Sequence, residues 1–383
     1  MLMFNRKIVY LDNGATTMVD PNVAKKVLVY MTEKYGNASS LHQKGQEAKI
    51  ALEESRAIIA KSINAKPSEI IFTSGGSESD NLAIKGVAAL HKKGHIITSV
   101  IEHPAVLETV KSLTEQGFDI SILKVNNEGF IDIEQLKKEI RKDTILVSIM
   151  HANNEIGTIQ NIELIGKICK EKNIVFHTDA VQSYTKIPID VKKINVDLIS
   201  LSGHKIHAPK GIGALFVKDE VKLKKLIEGG KHENKLRAGT ENIPGIVGFA
   251  EAASLASNSH IKHMEKLRDK LIDGILKIEN TRLNGSRTKR LCNNVNISFK
   301  HIEGEAIGGY LDAEGICSST GSACSTKSLQ PSHVLMALGL KEEEAHGSLR
   351  LTLSKFTTEQ EIDFVLEKLP KIVEKLRRMS PFK

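Results

Sequence analysis

The chain has no tryptophan, and aromatic residues fill only 4% of its 383 positions. That scarcity argues against a surface that stacks nucleic-acid bases, although the formal net charge is +8. The basic residues are spread along the chain and mixed with acids, so no nucleic-acid partner is expected. A basic surface around an anionic cofactor, or facing an acidic protein partner, accounts for the charge. Cysteine is sparse as well: Cys169, Cys292, Cys317 and Cys324, with no CxxC pair and no second cluster at metal-ligand spacing. A disulfide framework and a metal site are therefore not expected, and the pattern fits a reducing, cytoplasmic setting. The first residues lack the apolar core of a signal peptide. No stretch approaches the ~18 apolar residues that a membrane span needs, so no membrane association is expected. Internal repeats at solenoid spacing are also missing.

What is present is a regular alternation. Hydrophobic residues make up 40% and charged residues 26%, ordinary for a globular protein, and the length suggests two domains. Short apolar runs at 70–73, 95–100, 120–125, 144–150, 174–177, 198–201 and 214–217 read as strands, most of them separated by helical segments. Such runs are buried on both faces, as in a mostly parallel sheet covered by helices. Beyond about residue 258 the pattern becomes that of a smaller α+β unit, from an amphipathic helix at 260–278 to a final helix at 359–378.

The stretch from Leu198 to Gly213 stands out. An apolar strand breaks into Ser202-Gly203-His204-Lys205, and a lysine at a strand end is seldom buried unless it is paired or chemically used. Lys205 is a candidate for a Schiff base with a carbonyl cofactor. Five other segments bear on this. Thr73-Ser-Gly-Gly76-Ser77-Glu-Ser79 reads either as a phosphate seat at a helix N-terminus or as an ordinary capped turn. It is neither a P-loop nor a dinucleotide fingerprint. His103, in Glu-His-Pro, sits at a strand's carboxyl end, where open α/β sheets bind ligands; a capping or core histidine is the alternative. His151-Ala-Asn-Asn154-Glu-Ile-Gly157 suits a polar pocket or a turn. Asp179 ends another apolar strand, where a carboxylate can hold a proton on a pyridine nitrogen or cap the next segment. Arg350 interrupts an apolar strand, either to grip a carboxylate or as an edge charge facing water. Finally, Ser318 to Ser328 is rich in Ser, Thr and Gly and carries Cys324, where a cysteine invites a reactive role. Cys169 in a helix and Cys292 at a strand start read as structural, while Cys317 is open.

Together these segments resemble a family, the cysteine desulfurases of the class V aminotransferases. The resemblance runs nearly end to end, from Tyr10-Leu-Asp-Asn-Gly-Ala-Thr-Thr17 to Lys355-Phe-Thr-Thr358. It passes through Glu102-His103-Pro104, Asn153-Asn-Glu155, Asp179-Ala-Val-Gln182, Ser202-Gly-His-Lys205, Arg237-Ala-Gly-Thr240-Glu-Asn242 and Gly321-Ser-Ala-Cys324. The chain start and the reach from Cys324 to Pro331 are more similar to the housekeeping iron–sulfur subgroup than to the short-loop subgroup. Gly14, Ala38, Ser77 and Lys231-His232-Glu233 depart from the usual pattern, and none removes a catalytic group.

The resemblance implies an α/β class, the pyridoxal-phosphate-dependent transferase fold of type I. It would comprise a large domain over 15–258, built on a mostly parallel seven-stranded sheet. A smaller α+β domain, formed by 1–14 and 259–383, would carry the active-site cysteine loop. It implies pyridoxal 5'-phosphate held by Lys205, with Asp179 on the ring nitrogen, His103 on the ring face as a possible acid–base group, and Gln182 on the phenolic oxygen. Gly76, Ser77, Ser202 and His204 would hold the phosphate, and Thr240 would reach that of a partner in a homodimer. Asn154, also at the cofactor, and Arg350 would bind the carboxylate of L-cysteine. Lys205 would move the α-proton, and Cys324 would take the sulfur as a persulfide, releasing L-alanine. Sulfur would then pass to an iron–sulfur scaffold or another acceptor protein. The alternative implied by the same fold is a selenocysteine lyase or other C–S lyase.

Overall fold

The structure is a computed structural model that describes residues 8–320 and 330–381. Twelve strands are ordered along the chain: β1 (Val9–Tyr10), β2 (Ile70–Thr73), β3 (His95–Ser99), β4 (Asp119–Leu123), β5 (Thr144–Ser148), β6 (Val175–Asp179), β7 (Leu198–Ser202), β8 (Gly213–Val217), β9 (Thr281–Leu283), β10 (Asn294–Phe299), β11 (Ile316–Cys317) and β12 (Ser348–Thr352). Strands β2 to β8 form one seven-stranded sheet in the order β2-β8-β7-β6-β5-β3-β4. Only β8 runs against its neighbours; the other six strands are parallel to one another.

The buried runs explain this sheet. Alternate residues of β2 go to opposite faces: Ile70 and Phe72 join one apolar cluster, Ile71 the other. On one face the sheet is covered by α1 (Pro21–Thr32), α2 (Gln43–Ser62), α4 (Ile162–Glu171) and α5 (Ile243–Ser254). The other face carries α3 (Gly76–Ala88) and the Pro104–Thr114 helix. Residues 243–254 form a helix that the periodicity reading passed over, because it is apolar nearly all round and shows no clear stripe. Gly213 allows β8 to start hard against the turn before α3, since a Cβ there would lie 2.7 Å from the Cα of Gly75.

A second sheet, β12-β10-β9, and the short pair β1-β11 share a separate apolar cluster. The helices Asn258–Ile275 and Glu359–Met379 close over it through Leu267, Leu271, Val365 and Leu369. Val9 and Leu11 belong to this cluster, so the first described residues pack with the last third of the chain. Cys169 lies in α4 and is buried; Cys292 is buried too, but sits in the turn before β10 rather than at a strand start. No described helix is long and apolar enough to cross a membrane.

The edge of the large sheet is closed by side chains. Strand β2 is a terminal strand, whose outward backbone groups would otherwise template pairing with another chain. Arg56 Nη1 donates to the Ile70 carbonyl at 2.7 Å, and the Phe72 N–H donates to Glu233 Oε2 at 2.7 Å. Arg56 and Glu233 join each other by two bonds of 2.8 and 2.9 Å, so the ion pair takes the place of a neighbouring strand. Glu233, Asn234 and Lys235 all adopt left-handed backbone angles to make this contact. The unusual Lys-His-Glu of the sequence thus has a structural use. Replacing Glu233 by Ala leaves the Phe72 N–H without its acceptor and strips the buried Arg56 guanidinium of its two bonds to Glu233, leaving it only Glu53 and the Ile70 carbonyl. A loss of about 3 kcal/mol or more in unfolding free energy is expected by urea titration, against near-parental stability if the pair is incidental.

Candidate active site

The parallel strands deliver their carboxyl ends to one edge, and a cavity of about 240 Å³ opens there. Five of these strand ends contribute predicted residues. After β2 come Gly76 and Ser77, at the first turn of α3, whose cap residue Gly75 offers no side-chain hydrogen bond. That helix start has free N–H groups and a positive dipole end. After β3 comes His103, after β5 Asn154, at the end of β6 Asp179 and then Gln182, and at the end of β7 Ser202, His204 and Lys205. Arg350 reaches the same cavity from β12 of the second sheet.

One predicted residue is not brought here, and another lies outside the described residues. Thr240 is exposed and does not line the cavity. Its segment is tied to α3 by Arg237 Nε, which donates to Glu78 Oε1 at 3.0 Å. Cys324 lies outside the described residues. The segment before it is fixed to Arg350 by paired backbone bonds between Ser319 and Arg350.

Lys205 Nζ donates to the carbonyls of Gly14 and Ala15 at 2.6 and 2.7 Å. Burial and the nearby cations Arg350 and Lys186 bring its amine down to about 8. The turn after β1 therefore belongs to the site, as does Gln182 Nε2, which donates to the same Gly14 carbonyl. His103 satisfies both sequence readings. Its Nδ1 accepts the Ala105 N–H at 3.1 Å as a helix cap, and its ring lines the cavity. Burial and the charge of Lys205 hold it down to about 4, so the imidazole is neutral. His204 is likewise pushed down to about 4 by burial, and its Nδ1 lies 3.2 Å from Thr16 Oγ1. Asp179 accepts the Val181 N–H at 2.8 Å, as a turn residue does, yet burial raises its carboxyl to about 6.

Arg350 is almost fully buried and is not an edge charge facing water. Its guanidinium donates to Asp12 Oδ1 at 3.1 Å and to the Asn154 carbonyl at 3.2 Å, while Nε has no partner. Ser202 Oγ is also buried without a partner. An unpaired buried hydroxyl beside an uncapped helix start, with an amine and a carboxyl in the same cavity, fits a phosphorylated pyridine aldehyde.

Two acids, Asp80 and Glu102, were not singled out from the sequence, while Glu155 belongs to the segment read there as a polar pocket or a turn. Asp80, one turn into α3, lines the cavity and has Oδ1 unsatisfied, 3.6 Å from His177 Nε2. Burial first, then the charge of Asp179, raises it well above the usual carboxylate range. Glu102 is buried beside His103, accepting Ser99 Oγ at 2.5 Å and the Met150 N–H at 3.0 Å. Glu155 is buried and accepts Ser332 Oγ at 2.5 Å. The available signal was position: Asp80 lies four residues from Gly76 on one helix face, and Glu102 adjoins His103.

Comparison with known proteins now decides the relationship. A model of the family described as aminotransferase class-V matches residues 9–365. The chain belongs to this family. Cysteine desulfurase IscS of Methanosarcina thermophila is 53% identical over 380 residues, covering 98% of this chain and 94% of that protein. Cysteine desulfurase IscS of Dictyoglomus turgidum is 52% identical over 384 residues, covering 99% and 98%. Among solved structures, a NifS-like protein superposes with a TM-score of 0.91 at 42% identity, covering 97% of this chain and all of that one. A structure described as SspA in complex with cysteine gives 0.83 at 40% identity, covering 91% of this chain and all of that one. Enzymes of this family are in general dependent on pyridoxal phosphate.

The burial of Glu102 has a consequence for stability. Its folded carboxyl stands at about 8, against an ordinary value of 4.5. The folded chain keeps a proton that the unfolded chain releases, so this contribution is complete at low pH and is lost as pH rises toward 8. Relative to Glu102→Gln, the parent should lose stability steadily from about pH 5 to about pH 8, by at most about 1.4 kcal/mol per unit, and then level off. Urea unfolding of both proteins across that range measures it; parallel profiles would contradict the assignment.

Proposed function

We propose that this chain is a pyridoxal-phosphate-dependent cysteine desulfurase, which converts L-cysteine to L-alanine and keeps the sulfur as a persulfide on Cys324. The observation that carries the reading is the convergence of Lys205, Asp179, His103 and Arg350 on one cavity beside an uncapped helix start. The full-length likeness to cysteine desulfurases supports it.

In this reading Lys205 anchors the cofactor through its amine, and the Asp179 carboxylate faces the ring nitrogen. Neutral His103 would lie on the ring, Gln182 would bond the phenolic oxygen, and Asn154 would border both cofactor and substrate. Gly76, Ser77, Ser202 and His204 hold the phosphate, by helix N–H groups and by a hydroxyl that is otherwise unpaired. Pyridoxal phosphate, when bound, supplies an electron sink for the pairs released at the substrate's carbons. Arg350, which lines the cavity and has a guanidinium nitrogen left unpaired, holds the substrate carboxylate, with Asn154 beside it. Lys205, whose amine is easily freed of its proton, takes the α-proton. The Cys324 thiolate attacks the substrate sulfur: an S–S bond forms, the C–S bond breaks, and its electron pair stays on carbon, which is then protonated. The persulfide passes to an acceptor protein such as an iron–sulfur scaffold.

Thr240, exposed and away from its own cavity, serves the phosphate site of a second copy, so the working unit is a homodimer. Residues 15–258 form the cofactor-binding domain, and 1–14 with 259–383 the domain that carries the cysteine. Support for that division comes from the packing of Val9 and Leu11 in the cluster of the second sheet.

Mass spectrometry after treatment with L-cysteine should find a gain of about 32 Da on Cys324. Cys324→Ser should lose both that adduct and alanine release, and borohydride should tether the cofactor to Lys205. An adduct absent from Cys324, with alanine still formed, would sink the desulfurase mechanism. A Cys324→Ser protein that still acts at much of the parental rate on selenocysteine would favour the lyase reading.

A further inference from the structure

Lys186 has no place in the proposed chemistry, yet it is built into the site's rear wall. It follows Thr185, a β-branched residue held at φ +63°, a conformation that such residues rarely adopt. That turn aims the side chain inward. Lys186 Nζ donates to the Gln182 carbonyl at 2.9 Å and to the Lys205 carbonyl at 3.3 Å. It thus ties the segment after β6 to the segment after β7, and each of these carries a residue read above as holding the cofactor. Behind it lies a cavity of about 40 Å³, which Lys186 shares with Lys205, His207 and Asn293. Among the described residues no carboxylate forms an ion pair with Lys186.

A half-buried ammonium held by carbonyls alone is unusual, because a cation in such a place ordinarily finds an anion. Its effect falls on its neighbours. A lysine beside another cation is more readily freed of its proton, and so becomes a nucleophile at neutral pH. The groups that act on Lys205 are Arg350 from β12 and Lys186 on one side of the balance, and Asp12 and Asp179 on the other. His103 and His204 lie next to it and are themselves kept neutral. Burial brings the Lys186 amine itself down to about 8, with the buried Cys292 acting in the opposite sense, and Lys186 presses on His204 and His207. Arg350 keeps its charge at every accessible pH.

We propose that Lys186 is a positioning residue for Lys205: it clamps the Gln182 and Lys205 turns together through their carbonyls and so holds a second amine close to the one that anchors the cofactor. The proposal rests on the reading of Lys205 as the cofactor anchor, but its test does not depend on turnover.

Competitive acylation of the full-length chain across pH, with the Lys205 peptide quantified by mass spectrometry, reads the protonation of that amine directly. The experiment is run on protein cleared of cofactor, with thermal melting to verify folding. Lys186→Met should move the midpoint for Lys205 upward by roughly half a pH unit or more, and Lys186→Arg, which keeps the charge, should stay near the parent. Lys186→Gln retains a donor for the carbonyls without the charge and should move with the Met variant. If Lys186→Met does not fold, the Gln and Arg variants decide between them. A folded Met or Gln variant whose Lys205 midpoint equals the parent's overturns the proposal. Failure of borohydride to tether the cofactor at Lys205 would remove the anchor reading instead, and the acylation result would still stand on its own.

Discussion

Parallel pairing is the constraint on which the rest depends. Six strands that run the same way end on the same edge, so loops widely separated in the chain are forced to meet there. Each loop needs to bring only one or two polar groups. The interior of the sheet stays apolar, and all of its functional chemistry is pushed to the rim. Reversal of β8 is part of the same arrangement. It lets the chain return beside β7 immediately after Lys205, which keeps that lysine at the end of a central strand. The cost of the arrangement is an exposed terminal strand, and the Arg56–Glu233 pair removes it.

Arg350 and the turn after β1 help to line the cavity, and charges gather there in buried positions. Burial raises Glu102, Asp80, Asp179 and Glu155 and lowers Lys205, Lys186, His103 and His204. Both trends move groups toward neutrality, and for the same reason: ionised forms lose more by leaving water. Lys205 and Asp179 are thereby brought closer to neutral pH, which proton transfer at a substrate carbon calls for, while the two histidines stay uncharged. Part of this was open to sequence reasoning. A lysine behind Ser-x-His at a strand end, an aspartate ending β6 and a histidine after β3 are single residues at strand ends, and their alignment follows once the strands are taken as parallel. The histidine also keeps its plainer role as a helix cap and the aspartate bonds its own turn, because such a side chain can bond backbone and ligand at once.

Other parts were not legible. Asp80 and Glu102 stood within motifs already noticed, but nothing in a string of letters says that their carboxyls face Asp179. Lys186 looked like one of many lysines until the left-handed turn at Thr185 sent it inward. The helix at 243–254 escaped because a segment apolar on all sides has no period to detect.

By itself the sequence determined which kinds of group stand at which strand ends. Local alternation of apolar runs sets the strands, and the residue after each run is then placed within a few positions. Tertiary structure alone decided which of those groups share a dielectric and which charges face one another. Desolvation and Coulomb terms depend on everything within a few ångströms, and the neighbours of Lys205 come from residues 12, 179, 186 and 350. Residues so distant along the chain meet only when the two sheets are packed, and there the protonation states on which chemistry depends are set.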